Sequence, residues 1–441
     1  AVIYKKQGKD PNEKKISKPQ ITPIVMNRDQ VSPFLAEIQQ SQVAPIEPSF
    51  IDFDKDLDKL MMKSNIPVLY KKNVTNGLFE LMYVYNFGDN HDKALPTAID
   101  YLDYLGTDDM TPEEVKSEFY RLACSYQVMS AGRRSYIMLS GLNENMPQAV
   151  ALMEKLLAHA QVNKEAYANM VNDILKQRVD GKSNQGNNFS HLMAYVTYGA
   201  NNSMTNILSE KELKLMDPQQ LVNRIHDLNS WKHTVTYYGP MSEQELIVLL
   251  DKEHQVPAEL KDAPAEYNYV QQLPTETTIF IAPYDAKQIY MRMYSDRGEK
   301  FDPSIESGRK IYNEYFGGGM NSIVFQEMRE SRGLAYSANA YFSSPSYLDK
   351  DYVFGSFIAT QNDKMMDAIN AFNDIINNMP ESEAAFKLAK EGLIARLRTE
   401  RILKSDIIWS YIDAQDLGLK ADPRIQLYED VQKATLQDVI D

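Results

Sequence analysis

One cysteine, two tryptophans and six histidines are all that 441 residues hold of these types. The lone Cys124 excludes an internal disulfide and a cysteine-rich metal site. It reads as a small buried hydrophobe rather than a reactive thiol. The histidines stand at 91, 159, 191, 226, 233 and 254. No two are three or four apart, so the pairwise spacing that lets one helix face hold a metal is missing. No apolar run approaches the ~20 residues that span a bilayer. Positive charge is scarce too, with 47 Lys and Arg against 61 Asp and Glu and a net charge of −14. That balance disfavours nucleic acid, whose phosphates need a basic surface. It leaves room for basic or neutral peptides. A glycine-rich phosphate loop and a nucleophile elbow are also missing. Asp54, Asp56 and Asp58 alternate, but lack the glycine and terminal glutamate of a calcium loop and read as a solvated face.

What is present is ordinary globular material, 43% hydrophobic and 24% charged, in a length that suits two or three domains. The chain opens on Ala1-Val2-Ile3-Tyr4, which reads as the end of a strand begun earlier. Residues 1–49 are rich in Lys, Pro and Gln with little periodicity, as in a linker. From about residue 50 the pattern repeats at an offset near 212. The first unit, 50–257, has strands at Ile66–Lys72 and Leu78–Phe87, then a helix from Ala98 to Gly106. The second, 265–441, has strands at Thr278–Ala282 and Gln288–Tyr294, then a helix from Ile305 to Gly317. Each continues into a second helix and a further strand, so Cys124 parallels Tyr336. Trp231–Tyr238 reads as a strand followed by a helix, and the second unit has no counterpart of that pair. Strand hairpins mixed with amphipathic helices make the class α+β.

The most informative stretch is Gly317-Gly318-Gly319-Met320-Asn321-Ser322-Ile323-Val324-Phe325-Gln326-Glu327-Met328-Arg329-Glu330-Ser331-Arg332-Gly333-Leu334-Ala335-Tyr336. Three glycines end the preceding helix. Met320, Val324 and Met328 recur every fourth residue and predict one apolar helical stripe. Phe325 and Arg329 share a second face. Gly333 breaks the helix, and Leu334–Phe342 reads as a strand with Tyr336, Ala338, Ala340 and Phe342 on one side. A helix joined to a strand through one glycine can bring Arg329 close to Tyr336. Together they offer a fixed cation and a hydroxyl donor to a peptide carbonyl or developing oxyanion.

This stretch resembles the substrate-holding segment of the pitrilysin/insulinase family of zinc metallopeptidases. The resemblance is strong over these residues and fainter over nearly the whole chain. It implies two homologous α+β domains of the LuxS/pitrilysin-like kind, each a mostly antiparallel sheet packed with helices. Arg329 and Tyr336 would act on the substrate carbonyl, and Phe325, Arg329 and Tyr336 would bind substrate. Catalytic members carry His-x-x-Glu-His shortly before a Gly-Thr pair. Here Gly106-Thr107 is preceded by Thr97, Asp100 and Tyr101 at those positions, which cannot reproduce the site. The resemblance therefore implies a zinc-free half with no metal in this chain. Zinc and the catalytic base would come from an N-terminal half, joined through 1–49, or from a homologous subunit. The partners implied are that half and a peptide substrate. The family pattern also implies a missing C-terminal end, and points to a bacterial envelope without fixing the compartment. The alternative is a non-catalytic scaffolding member of the same family, which would have no need of the Phe-Arg-Tyr set.

Overall fold

Along Leu78–Tyr85, Phe79, Leu81, Tyr83 and Tyr85 fall on one face of an extended chain, and all four are almost fully buried. Period-two burial of this kind places a strand against a helical layer. The computed structural model describes residues 32–42 and 44–440. The expected linker over 1–49 lies mostly outside the described residues. Within it, Pro33–Gln40 is a short helix, where a structureless segment was expected. Proline at the first helical position supplies a preset φ and lacks only a donor that the first turn leaves unused.

From Glu47 onwards the chain forms one compact unit holding two sheets. The first comprises β1 (Asp58–Met61), β2 (Pro67–Lys72), β3 (Leu78–Tyr85), β4 (Cys124–Ala131), β5 (Arg134–Leu142) and β6 (His233–Gly239). Their order is β1-β2-β6-β3-β5-β4. Only β2 and β6 run parallel. The second comprises β7 (Gln288–Lys300), β8 (Ser337–Ser343) and β9 (Asp351–Gln361), all antiparallel, in the order β7-β9-β8. This repeats the β3-β5-β4 part of the first sheet. Helices pack on both sheets, and the α+β class is borne out.

Two local expectations are corrected. Thr278–Ala282 forms no strand. Its parallel in the first sheet, β2, is held between β1 and β6, and no described strand after β9 offers an edge equivalent to β6. The helix expected over 98–106 is Leu95–Leu102. It starts early because Pro96 suits the first turn.

Three apolar clusters result. One joins the first sheet to helices Leu95–Leu102, Met146–His159 and Glu243–Glu253. A second joins the other sheet to Glu306–Phe316, Met365–Asn377 and Glu383–Thr399. In the third, Ile51, Phe53, Leu57 and Leu69 meet Ile407, Ile408 and Ile412 of helix Asp406–Asp416. The last of these ties the late helix to β2 of the first sheet.

Inside the first core lies a polar chain that the sequence gives no sign of. His233 Nε2 is 2.8 Å from His254 Nε2, and His254 Nδ1 is 2.6 Å from Glu154 Oε1. Asn229 donates to Glu154 Oε2 at 2.7 Å, and Tyr85 donates to Asn229 at 2.7 Å. His233 Nδ1 is 2.6 Å from the Trp231 carbonyl. Burial, with His254 second, pushes the His233 pKa down to about 4.

Between pH 4 and 6.5 the folded chain thus holds fewer protons at His233 than the unfolded chain, whose imidazole titrates near 6.5. The stabilisation is complete above about pH 6.5 and is lost as pH falls towards 4, by roughly 3 kcal/mol. Urea unfolding at pH 7.5 and 4.5 measures this against His233→Gln, which should show a smaller drop over the same interval.

Candidate functional site

Helix Glu306–Phe316 stops at Gly317, where the chain passes hard against β8. A Cβ on Gly317 would lie 1.9 Å from the Ala340 carbonyl oxygen. The next helix starts only after Ser322, whose hydroxyl accepts from the Phe325 amide at 3.4 Å and donates to the Gly319 carbonyl at 2.7 Å. Met320 therefore lies before the helix and is exposed, whereas Val324 and Met328 are fully buried. The expected three-residue stripe is a two-residue anchor.

This helix begins as one α-turn, Ile323–Phe325, and continues as a π-helix, Gln326–Ser331. The wider turn is visible in Arg332 N–H bonding to the Glu327 carbonyl, five residues back, at 3.2 Å. Such segments are rare, and they alter which side chains share a face. Gly333 then takes φ +57° and reverses the chain. Leu334 and Ala335 amides both return to the Met328 carbonyl, at 2.9 and 3.3 Å. Thr360 Oγ1 holds the Leu334 carbonyl at 2.5 Å, and Lys364 Nζ holds that of Gly333 at 3.3 Å. β8 begins at Ser337, so Tyr336 precedes the strand. Ala338 and Ala340 are buried, but Tyr336 is 78% exposed instead of sharing their side.

The three residues singled out in the sequence are brought together here. The Arg329 guanidinium lies 4.9 Å from the Phe325 ring centre and 5.2 Å from that of Tyr336. Two aromatic faces thus hold one cation by quadrupole attraction. Its ion-pair partner among the described residues is Glu330 at 3.5 Å, itself half exposed. Arg332 differs. It reaches Asp374 at 3.1 Å and Glu327 at 3.4 Å, and it holds the Asp374 carboxyl below its ordinary range. Arg332 braces the helix end between two carboxylates, while Arg329 has only the longer contact to Glu330 among the described residues. A delocalised cation and an exposed hydroxyl suit a peptide carbonyl or carboxylate.

The positions that would carry metal ligands do other work. Thr97 and Tyr101 are buried in helix Leu95–Leu102. The Tyr101 hydroxyl donates to the Asn163 carbonyl at 2.6 Å and accepts from the Asn163 amide at 2.9 Å. Asn163 in turn caps helix Lys164–Gly181. Among the described residues no group of three His, Cys, Asp or Glu could hold a metal. His233 and His254 come together, but their 2.8 Å nitrogen separation is a hydrogen bond. Two imidazoles on one tetrahedral zinc would stand ~3.3 Å apart. These residues do not fit the group.

Against known proteins, residues 234–393 match the peptidase M16 inactive domain. A protein described as an uncharacterized zinc protease, from Rickettsia bellii, is 20% identical over 324 residues, covering 70% of this chain and 72% of that protein. The peptidase M16 inactive domain from Pseudomonas fluorescens has a TM-score of 0.67 at 16% identity, covering 87% of this chain and 93% of that one. The periplasmic protease PqqL from Escherichia coli also gives 0.67, at 13% identity, over 97% of this chain and 47% of that one. A mutant of the ferredoxin protease FusC in complex with Arabidopsis ferredoxin gives 0.64 at 12% identity, with 96% and 46% covered. The chain spans about half the length of these last two proteins. At such identities the structures share the fold. The resemblance read from residues 317–336 is borne out by the domain match.

The glycines before the site should separate by mutation. Gly317→Ala forces backbone movement at Ala340 and should cost about 1–3 kcal/mol. Gly319→Ala meets nothing within 4 Å and should stay within about 0.5 kcal/mol. Denaturant midpoints of the two variants check this contrast.

Proposed function

We propose that this chain, which carries a peptidase M16 inactive domain, is the substrate-holding half of a zinc metalloendopeptidase. Peptides would be hydrolysed in a closed chamber, with zinc and the catalytic base supplied by a separate N-terminal half or a homologous partner subunit. The observation that carries this reading is the Arg329 guanidinium held between Phe325 and Tyr336 with no buried carboxylate beside it. A structural arginine would be paired more fully, as Arg332 is with both Asp374 and Glu327. The FusC–ferredoxin complex supports a polypeptide ligand. We read 50–257 and 265–441 as the two repeated domains, and the shared order of β3-β5-β4 and β7-β9-β8 supports that division.

In this reading the residues divide the work simply. Phe325 and Tyr336 fix the guanidinium plane, so little side-chain entropy remains to be lost on binding. Arg329 donates to a substrate carbonyl or to the charge that grows on its oxygen. The Tyr336 hydroxyl supplies a second donor. Preorganised donors of this kind act on the transition state more than on the bound substrate. Zinc, bound outside this chain, would supply Lewis acidity and an activated water.

In the complete enzyme, Arg329→Ala or Tyr336→Phe should lower kcat/KM by roughly ten- to a thousandfold. Melting temperature should hardly move, because both side chains are largely exposed. Unaltered turnover of a peptide substrate in both variants would sink the proposal and turn the reading to a scaffold. A fall in melting temperature by several degrees would give the two residues a structural role instead.

A further inference from the structure

The face of the second sheet away from its core carries a cation, Arg292, that has no ion-pair partner among the described residues. On β7, Met291 and Met293 turn to the apolar cluster, so Arg292 and Tyr294 turn the other way. Register places Arg292 opposite Phe357, and Tyr294 and Tyr341 both opposite Gly355. Helix Gln185–Tyr198 crosses this face, with the Phe189 ring 5.8 Å from Tyr290 and 6.0 Å from Phe357. Between helix and sheet lies a cavity of about 450 Å³. Its lining includes Arg292, Tyr198, Tyr294, Tyr341, Tyr347 and Lys350.

The charges around Arg292 are otherwise engaged. Asp296 accepts from Gln271 at 3.0 Å, from the Tyr294 hydroxyl at 3.0 Å and from the Gly298 amide at 2.8 Å. Asp351 pairs with Lys300, and Asp349 with Arg133 at 2.5 Å. Among the described residues Arg292 meets no carboxylate. Its one described contact is the Tyr341 ring, 5.6 Å from the guanidinium carbon. Gly355 makes room for that ring, since a Cβ there would lie 2.9 Å from it. The hydroxyls of Tyr198, Tyr341 and Tyr347 donate to no described residue, and each can supply a hydrogen bond. A guanidinium over an aromatic ring, facing an open cleft with free phenols, suits carboxylate recognition.

We propose that this cavity is a carboxylate-binding subsite for a peptide, with Arg292 as its cation. The ligand's being a peptide rests on the function proposed above. Tyr341 lies five residues along from Tyr336, about 17 Å in extended chain. The carboxylate would be an acidic side chain of the peptide or its C-terminus.

Binding of dye-labelled ten-residue peptides to the full chain, followed by fluorescence anisotropy, tests this. A glutamate peptide should bind roughly tenfold tighter than its glutamine analogue, the scale of one charge-assisted contact. Amidating the C-terminus of each tells a terminal carboxylate from a side chain. Arg292→Gln should abolish the acidic preference and leave the glutamine peptide's affinity unchanged. Arg292→Glu should reverse the preference towards a lysine peptide. Equal binding of acidic and neutral peptides by the wild-type chain, or a preference that survives Arg292→Gln, would overturn the proposal. So would failure of both peptides to bind at millimolar concentration. Arg329→Gln reports separately on the peptide-holding reading and should weaken both peptides alike. No change there, with discrimination by Arg292 intact, would remove that reading alone. Unchanged circular dichroism and melting temperature confirm that each variant is folded.

Discussion

The two sheets are held in register by two adjacent arginines at one hairpin turn. Gly132 takes φ +58° and lets β4 turn into β5. Arg133 and Arg134 project from that turn in different directions. Arg133 grips Asp349 with two bonds of 2.6 and 2.5 Å and Glu266 with two of 3.0 and 2.9 Å. The Tyr347 ring lies against it at 4.5 Å. Arg134 reaches Asp416 at 2.6 Å. One turn of the first sheet therefore fixes the connection into the second half, the loop between β8 and β9, and a late helix. The side chain of Arg133 is only 21% exposed, so removing one partner leaves a partly desolvated charge. On the order of 2–3 kcal/mol rests on each such loss. The third apolar cluster adds the non-directional part of the same junction. Lysine could not replace Arg133, because a planar fork there serves two carboxylates.

That junction matters for the site because it fixes the frame against which the segment 317–336 is built. Gly317 lets the helix end touch β8, and Gly333 returns the chain to the same sheet. Between them a π-turn widens the helix. The cost of an irregular helix is met by Val324 and Met328, both fully buried, and by Arg332 pairing with Asp374. The exposed face is left free of structural duty. Local irregularity supported on all sides is how a fold presents one side chain in a fixed pose.

Much of this was legible in the sequence, and the misses have physical causes. β3 shows because alternate apolar residues meet a helical layer on one face, and β6 and β7 show by their share of aromatic, apolar and β-branched residues. The Phe325, Arg329 and Tyr336 set shows because helical spacing and one glycine are local rules. Met320 was misplaced because the rule of four ignores where a cap starts the helix, here at Ser322. Tyr336 was grouped with Ala338 and Ala340 because strand parity was carried one residue past the strand's true start. Thr278–Ala282 has the composition of a strand, but a strand needs an edge to pair with, and pairing is not local. The pair His233 and His254, and the cavity at Arg292, depend on contacts between distant elements. No spacing rule finds them.

The positions where a metal motif would stand serve packing instead. At Thr97, Asp100 and Tyr101 a catalytic helix would place two imidazoles and a carboxylate. Such a cluster must stay partly open to water and substrate, which strains the packing around it. Here Tyr101 fills its place, fully buried, and its hydroxyl both donates to and accepts from Asn163. A helix with no ligand to present is thereby converted into a brace for the N-terminus of its neighbour. The second sheet has not been tightened in the same way. Its cations Arg329 and Arg292 keep exposed donors, and its cavity stays unfilled by side chains. Stability alone favours closing such openings with apolar groups. An unpaired guanidinium beside such an opening is the kind of feature that the function proposed above would use.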